Sequence, residues 1–346
     1  MAGFRRRVAR RPVEELPGPL DPGFPPPRPN PRGAGGGMPG PADHAAGNRA
    51  RAEVTRTLEP RAQPAEEMPM DTGHFVPHHL KATADDLAGN GPLGRYVFLP
   101  GSDGRAREIA DRFEAVTVRP SPRAHNLYLG KLKVGKRHVD VASVCSGMGT
   151  PSLDIIVNEL FRLGTRRILR VGTAGSLQPD YVRVGDLVVA TAAVRDENTS
   201  RLYVPAEYPA VASASMVAAA QMAVRKLRLE KRARFGIIHA KDSLFAREFG
   251  EGPMRETNRE YMHVLHESGV VASEMESSHL FVLASLFSHQ LRKAGANPPD
   301  VLAGTVLGII GDDRPFAPSG EADRAVEQAV DLALETARQL ALSEVA

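Results

Sequence analysis

The chain has 346 residues, room for one large α/β domain or two smaller ones, and a formal net charge of only +3. Much of its basic excess lies in the first fifty residues, and the rest carries no basic stripe interleaved with aromatics, which argues against nucleic-acid binding. No run of about 18 apolar residues is present to span a membrane, and a single cysteine, Cys145, leaves no internal disulfide framework and fits a reducing, cytoplasmic setting.

Residues 1–70 are rich in Pro, Gly, Ala and Arg and supply no hydrophobic face to offset the entropy of ordering. They read as a disordered extension ahead of one folded domain over 71–346. Met1–Pro12 is Arg-rich and acid-free, but it lacks the apolar stretch of a secretory signal and the serines of an organelle transit peptide. His74, His78 and His79 follow closely. No Cys or acidic residue stands at ligand spacing beside them, so surface histidines are a simpler reading than a metal site.

The first strand is Tyr96–Leu99, running into Pro100-Gly-Ser-Asp-Gly-Arg105 and a helix over 106–113. A strand, a glycine turn and a helix start offer free N–H groups to an anion, with Arg105 at the helix beginning. A strand over 138–144 then leads through Ser146-Gly-Met-Gly149 to a helix with Thr150 as N-cap and Pro151 behind it. Ile155, Ile156, Leu160 and Leu163 form its apolar face, and Gly164 ends it. The apolar context of Cys145 suits a packed thiol better than a nucleophile.

The next strand, Ile168–Val171, holds Arg170 and ends in Gly172-Thr-Ala-Gly175. A guanidinium in a buried strand is costly unless an anion neutralises it. Either a phosphate or sugar site or a structural Arg–carboxylate pair would account for Arg170. Further strands are expected over 187–194, 235–240, 270–275 and 301–310, and helices over 212–227, 256–268, 277–291 and 321–342. This alternation predicts an α/β fold with ligands at the C-terminal ends of strands. Glu274 and Glu276 fall two apart, on one face of a strand. They suit ribose hydroxyls, a divalent metal, or a helix N-terminus. Asp312-Asp313 after the last strand reads as a catalytic acid, a metal ligand or a solvated turn.

Five segments carry a family likeness: Pro100-Gly-Ser-Asp-Gly-Arg105, Gly147-Met-Gly-Thr-Pro-Ser152, Arg170-Val-Gly-Thr-Ala-Gly175, Val184-Gly-Asp186 and Glu274-Met-Glu276. With these in order, the chain from about Gly73 to Leu342 resembles the nucleoside phosphorylases of the hexameric type, and their uridine phosphorylase branch most of all. The resemblance implies a three-layer α/β/α domain with a central mixed, partly barrel-like sheet. It implies phosphate-dependent cleavage of an N-glycosidic bond, giving a free base and ribose 1-phosphate, with inorganic phosphate as co-substrate and neither cofactor nor metal. Gly101, Arg105, Arg170 and Thr173 would hold phosphate. Thr173, Met275 and Glu276 would meet the ribose. Arg123 and His79 would serve the adjacent subunit, making a dimer the minimal unit of a homo-oligomer, with a hexamer expected. Arg170, Arg105 and Asp312 would carry the catalytic roles, and Gly175, Phe245 and Arg247 would face the base.

The chain departs from that branch at the base. Uridine phosphorylases read uracil with a Gln and an Arg two apart, and the loop here, Asp242-Ser-Leu-Phe-Ala-Arg-Glu-Phe-Gly250, has no such pair. Arg247 is the residue able to substitute. A further Arg of the last strand is missing from Leu307-Gly-Ile-Ile-Gly311, and Asp312 falls near where purine-specific relatives place a proton-donating Asp. Ala124 stands where some relatives place a Glu for a monovalent cation, so no cation site is expected. The alternatives are a purine nucleoside phosphorylase, a nucleosidase using water, and a non-catalytic nucleoside-binding homologue. Arg105, Arg123 and Arg170 together argue against the hydrolase.

Overall fold

A computed structural model describes residues 75–312 and 319–344. The 1–70 extension, His74 and Asp313 lie outside the described residues. The frame is one ten-stranded mixed sheet. Its strands are β1 (Tyr96–Pro100), β2 (Glu114–Arg119), β3 (Leu127–Val134), β4 (Arg137–Ser143), β5 (Arg167–Ser176), β6 (Leu187–Asp196), β7 (Ala210–Val211), β8 (Ala233–Lys241), β9 (Ala272–Glu274) and β10 (Leu302–Gly311). β5 pairs with β10, β10 with β6, β6 with β8, β8 with β9, and β9 returns to β5, which closes five strands into a ring. From β5 the sheet continues as an open wing through β1, β4, β3 and β2. The expected α/β fold with a partly barrel-like mixed sheet is thus the one observed.

The helices are α1 (Ala84–Leu87), α2 (Asp103–Ala110), α3 (Thr150–Arg162), α4 (Ala214–Leu227), α5 (Arg255–Glu267), α6 (Ser277–Lys293) and α7 (Ser319–Glu344). Two hydrophobic clusters sit on opposite faces of the sheet. Strand alternation feeds both: Val97 and Leu99 of β1 join α3 and α6 on one face, while Tyr96 and Phe98 join α2 and α7 on the other. Along α3, Leu153, Ile156, Val157 and Leu160 are buried at helical spacing. Each such side chain contributes about 1.5–3 kcal/mol on leaving water.

Local differences from the expected elements have local causes. Gly149 is the N-cap of α3 in place of Thr150, with φ at +81°, and Thr150 is already helical. Ile155 turns outward, while Leu153 occupies the core. The sequence reading passed over β2 and β3. β2 is an exposed edge strand without a buried face, and β3 forms a hairpin with β4 around Gly135-Lys136. The strand expected over 270–275 shortens to β9, because the backbone leaves the sheet at Met275 to start α6. Cys145 is a packed thiol as expected: its Sγ donates to the Ala124 carbonyl at 3.2 Å, and burial pushes its pKa up.

Candidate active site

The strand ends converge on Arg170. It lies in β5 opposite Leu99 of β1 and Thr305 of β10, in the middle of the parallel part of the sheet. It shares the side of β5 that carries Ile168, which packs with α3 and α6. Its side chain is 5 % exposed. Nε donates to Glu274 Oε2 at 3.0 Å, and Nη2 donates to Glu276. Nη1 is buried without a hydrogen-bond partner among the described residues. The ion-pair reading of Arg170 therefore holds, and one face of the guanidinium is still left for a further acceptor.

The two carboxylates have different second partners. Glu274 accepts the backbone N–H groups of Glu276 and Ser277 at 2.9–3.0 Å, which caps the start of α6. Glu276 is the N-cap residue of α6 and accepts the Gly149 N–H at 2.6 Å, tying that site to the start of α3. The shared-strand-face expectation is corrected here, since Glu276 lies beyond β9, yet both carboxylates still reach Arg170. Arg170 is the cation that serves both. Burial pushes the Glu276 carboxyl above the ordinary range; Arg170 opposes that and the Glu274 charge reinforces it. Met275, between them, is half-buried.

Arg105 joins the same region. It sits in the first turn of α2, whose N-cap Ser102 accepts the Arg105 N–H. Burial lowers its pKa, Glu108 opposes this, and the positive charge of Arg170 lowers it further. Two guanidinium groups thus lie close enough to repel, beside the C-terminal end of β1 and partway along β5, and an anion between them would relieve that. Gly101 and Gly147 approach each other there, with a Cβ at Gly101 falling 3.8 Å from the Gly147 carbonyl. Gly147, at φ +75°, could carry no side chain without striking Ser152.

His79 and Arg123 stand apart from this centre. Glu159, near the C-terminal end of α3, accepts the N–H groups of His78, His79 and Leu80 and pairs with His79 Nδ1 at 2.8 Å. Glu159 is ten residues along from Gly149, or about 15 Å at the helical rise. His79 is therefore held away from Arg170 and Glu276 of its own chain. Arg123 is exposed.

At the other end of β5, Gly175 pairs with Gly311 of β10, and the half-buried Asp312 follows directly. A short π-helical turn, Leu244–Glu248, lies over this end. Phe245 is 61 % exposed and meets Phe249 edge to face. Arg247 turns toward β6: Nε is 2.7 Å from Asp196 Oδ2, Nη1 donates to Asn258 at 2.7 Å, and the guanidinium lies over the Tyr261 ring. The side chain that reaches Gly175 is the next one, Glu248, whose Oε1 a Cβ at 175 would strike. Lys241, 2 % exposed, is ion-paired with Glu248 and donates to Ser273 Oγ at 2.8 Å. A polar cleft of about 460 Å³ opens beside this turn, lined in part by Lys241, Asp242, Arg247 and Tyr261.

A sequence profile of the phosphorylase superfamily matches residues 95–342. The chain belongs to that superfamily. It is 34 % identical over 210 residues to the uridine phosphorylase of Treponema pallidum, covering 60 % of this chain and 76 % of that protein. It is 29 % identical over 245 residues to the guanosine phosphorylase of Halorubrum lacusprofundi, covering 69 % and 93 %. In three dimensions it is similar to a uridine phosphorylase from Vibrio fischeri, with a TM-score of 0.61 at 22 % identity, over 77 % of this chain and 96 % of the other.

Of the sequence-predicted residues, the structure brings Gly101, Arg105, Arg170, Met275 and Glu276 together where the ends of β1 and β9 meet the first half of β5, and Thr173 follows Arg170 along β5. It keeps His79 apart and commits Arg247 to Asp196. The functional candidates that sequence reasoning passed over are Lys241 and Glu248. A buried-strand Lys followed seven residues later by Glu was the available signal, and it is faint because nothing in the pattern says that the turn folds back.

Proposed function

We propose that this chain is a pentosyltransferase that cleaves the N-glycosidic bond of a nucleoside with inorganic phosphate, with phosphate and sugar sites of the uridine phosphorylase type. The observation that carries this reading is the pair Arg105 and Arg170, with a buried Arg170 Nη1 that has no hydrogen-bond partner among the described residues. Gly101, Arg105, Arg170 and Thr173 would bind phosphate, joined by Arg123 of a neighbouring copy. Glu276 and Thr173 would receive the ribose hydroxyls, Met275 would lie against the sugar, and His79 of the neighbouring copy would reach it.

The chemistry follows from charge. As the C1′–N bond breaks, positive charge grows on the ribose. A phosphate dianion held beneath C1′ by guanidinium groups is placed for attack and stabilises that charge. Its oxygen forms the new C1′–O bond, and the base leaves with the old bonding pair and gains a proton. Glu276 is well supplied for its role, since Arg170 and the Gly149 N–H fix its orientation.

Because His79 is held about a helix length from its own Glu276, a homo-oligomer with shared sites fits the geometry, the dimer as minimal unit and a hexamer as the complete form. No described helix is long and apolar enough to cross a membrane. The lone, buried Cys145 fits a cytoplasmic enzyme of nucleoside catabolism and salvage. Uridine is the first substrate to test. A purine nucleoside is the second reading, favoured by Asp312 just beyond the position paired with Gly175. The deciding experiment measures base release and ribose 1-phosphate with and without phosphate across uridine, inosine, guanosine and adenosine. Release only with phosphate is expected, and equal release without it would refute phosphorolysis.

A further inference from the structure

His79 and Arg123, the two residues that the phosphorolysis reading lends to a neighbouring copy, are joined within their own chain by one hydroxyl. Ser121 Oγ donates to the His79 carbonyl at 2.9 Å and accepts the Arg123 N–H at 3.3 Å. Among the described residues that carbonyl receives no other hydrogen bond. Ser121 is buried and stands between Pro120 and Pro122, whose rings stiffen the backbone on both sides. The turn that carries Arg123 closes around it: the Ser121 N–H donates to Asn126 Oδ1 at 2.8 Å, and its carbonyl accepts the Ala124 N–H at 3.0 Å. Ala124 stands at φ +59°, a conformation that a non-glycine residue keeps only where its surroundings impose it. Cys145 Sγ holds the Ala124 carbonyl, and Asn126 Nδ2 donates to Asp103 Oδ2 at 3.0 Å, two residues before Arg105 in α2. This fastening leaves the two working groups unspent. The Arg123 guanidinium is exposed and has no hydrogen bond or ion pair among the described residues. His79 Nδ1 faces the Glu159 carboxylate, which can only accept, so Nδ1 carries a proton and Nε2 is left without a hydrogen bond among the described residues.

We infer that Ser121 is a positioning residue that holds Arg123 and His79 as one unit, and so fixes how both enter the neighbouring copy's site. This rests on the phosphorolysis reading and its shared sites. A serine that merely closed its own turn would need only the Arg123 N–H. The bond to a carbonyl 42 positions earlier is what ties the two segments together. Glu159 touches the His79 segment alone, whereas Ser121 touches both. Arg123 meets the phosphate and His79 the sugar, so one hydroxyl in one copy sets the recognition of both substrates in the other. Holding two recognition groups in fixed mutual geometry lowers the cost of ordering them when substrate arrives.

The test is steady-state kinetics of the full-length chain, Ser121→Ala and Ser121→Thr, varying inorganic phosphate and whichever of uridine, inosine, guanosine and adenosine is cleaved. Ser121→Ala should lower kcat/KM for phosphate and for nucleoside together, by about threefold to tenfold each, and Ser121→Thr, which keeps the hydroxyl, should retain most of both. A serine that only stabilised its turn would shift Tm and leave both values at those of the unmodified enzyme, which would overturn the assignment while leaving phosphorolysis standing. The turn also reaches its own Arg105 through Asn126 and Asp103, so mixing decides the direction in which Ser121 acts. Ser121→Ala subunits are exchanged into a large excess of Arg170→Ala subunits, or of Arg105→Ala subunits should the former not assemble. Each competent site then belongs to a Ser121→Ala copy and receives His79 and Arg123 from a copy with Ser121 intact. Recovery of the unmodified kcat/KM for both substrates is expected. A defect that persists in the hybrids would place the effect of Ser121 in its own site and sink the proposal. Phosphorolysis by a monomer would sink the shared site and the role of Ser121 together. No phosphate-dependent cleavage of any of the four nucleosides by the unmodified enzyme would refute phosphorolysis itself, and this assignment with it.

Discussion

Arg170→Ala is the most informative single change, because the structure predicts two separable losses. The side chain is 5 % exposed and is the shared cation of Glu274 and Glu276, themselves 1 % and 5 % exposed. Removing it leaves two buried carboxylates without their counter-charge, a change that costs about 3–5 kcal/mol when one partner of a buried pair is deleted. For a domain of this size that is a fall in Tm of about 6–20 °C. The loss should depend on pH. Burial and Glu274 already raise the Glu276 pKa in the folded chain, and Arg170 is what opposes them. Without Arg170 the folded pKa rises further above the unfolded one. A carboxyl raised on folding binds its proton more tightly in the native state, so its contribution is fully present below the ordinary carboxylate range and is lost as pH rises through the folded pKa. The variant should thus recover part of its deficit as pH falls toward the ordinary carboxylate range. Denaturation of both proteins at several pH values measures this, alongside the phosphate dependence of turnover. A variant as stable as the parent at pH 8, with the same pH profile, would show that Arg170 does not neutralise the pair.

Mixing Arg123→Ala with Arg170→Ala subunits should restore turnover through hybrid sites; no recovery despite proven subunit exchange would rule out a shared site. Gly175→Ala places a Cβ on the Glu248 carboxylate and should raise the KM for nucleoside severalfold with the KM for phosphate unchanged, measured by initial rates. Glu159→Gln weakens the hold on His79 and the three backbone N–H groups, and should lower kcat/KM about tenfold at unchanged phosphate affinity, by the same assay. Deleting residues 1–70, which lack apolar periodicity, should leave turnover and assembly as they were, checked by kinetics and sedimentation.

Much of the fold was legible because its strands are short apolar runs closed by glycine turns. Tyr96–Pro100, Arg167–Ser176 and Leu302–Gly311 all announce themselves in this way. Strand pairing did not. The closure of β5 on β10 brings together residues more than a hundred positions apart, and local periodicity carries no such information. β2 was passed over although Val116 and Val118 alternate with Thr117 and Arg119, because so short a run carries little weight, and in the structure all six of its residues are exposed. The start of α3 moved by one residue because Gly149 at positive φ can cap a helix without a side-chain bond, whereas sequence rules favour the neighbouring Thr.

The site was legible to the extent that its chemistry sits in single strand ends. Arg170 was conspicuous as a charge in an apolar run, and both explanations offered for it turn out compatible. Its Nε and Nη2 serve carboxylates 104 and 106 residues away, and its Nη1 is left over. The turn over Gly175 was illegible for a different reason. Arg247 and Glu248 are adjacent and oppositely charged, and which of them faces Gly175 depends on the winding of a five-residue π-helical turn. That winding is set from outside the turn, by Asp196 and Asn258 drawing Arg247 toward β6 and by Lys241 drawing Glu248 toward β5. A guanidinium against Gly175 would present only donors. The carboxylate that stands there presents acceptors, so one step along the chain inverts the hydrogen-bonding character of that surface.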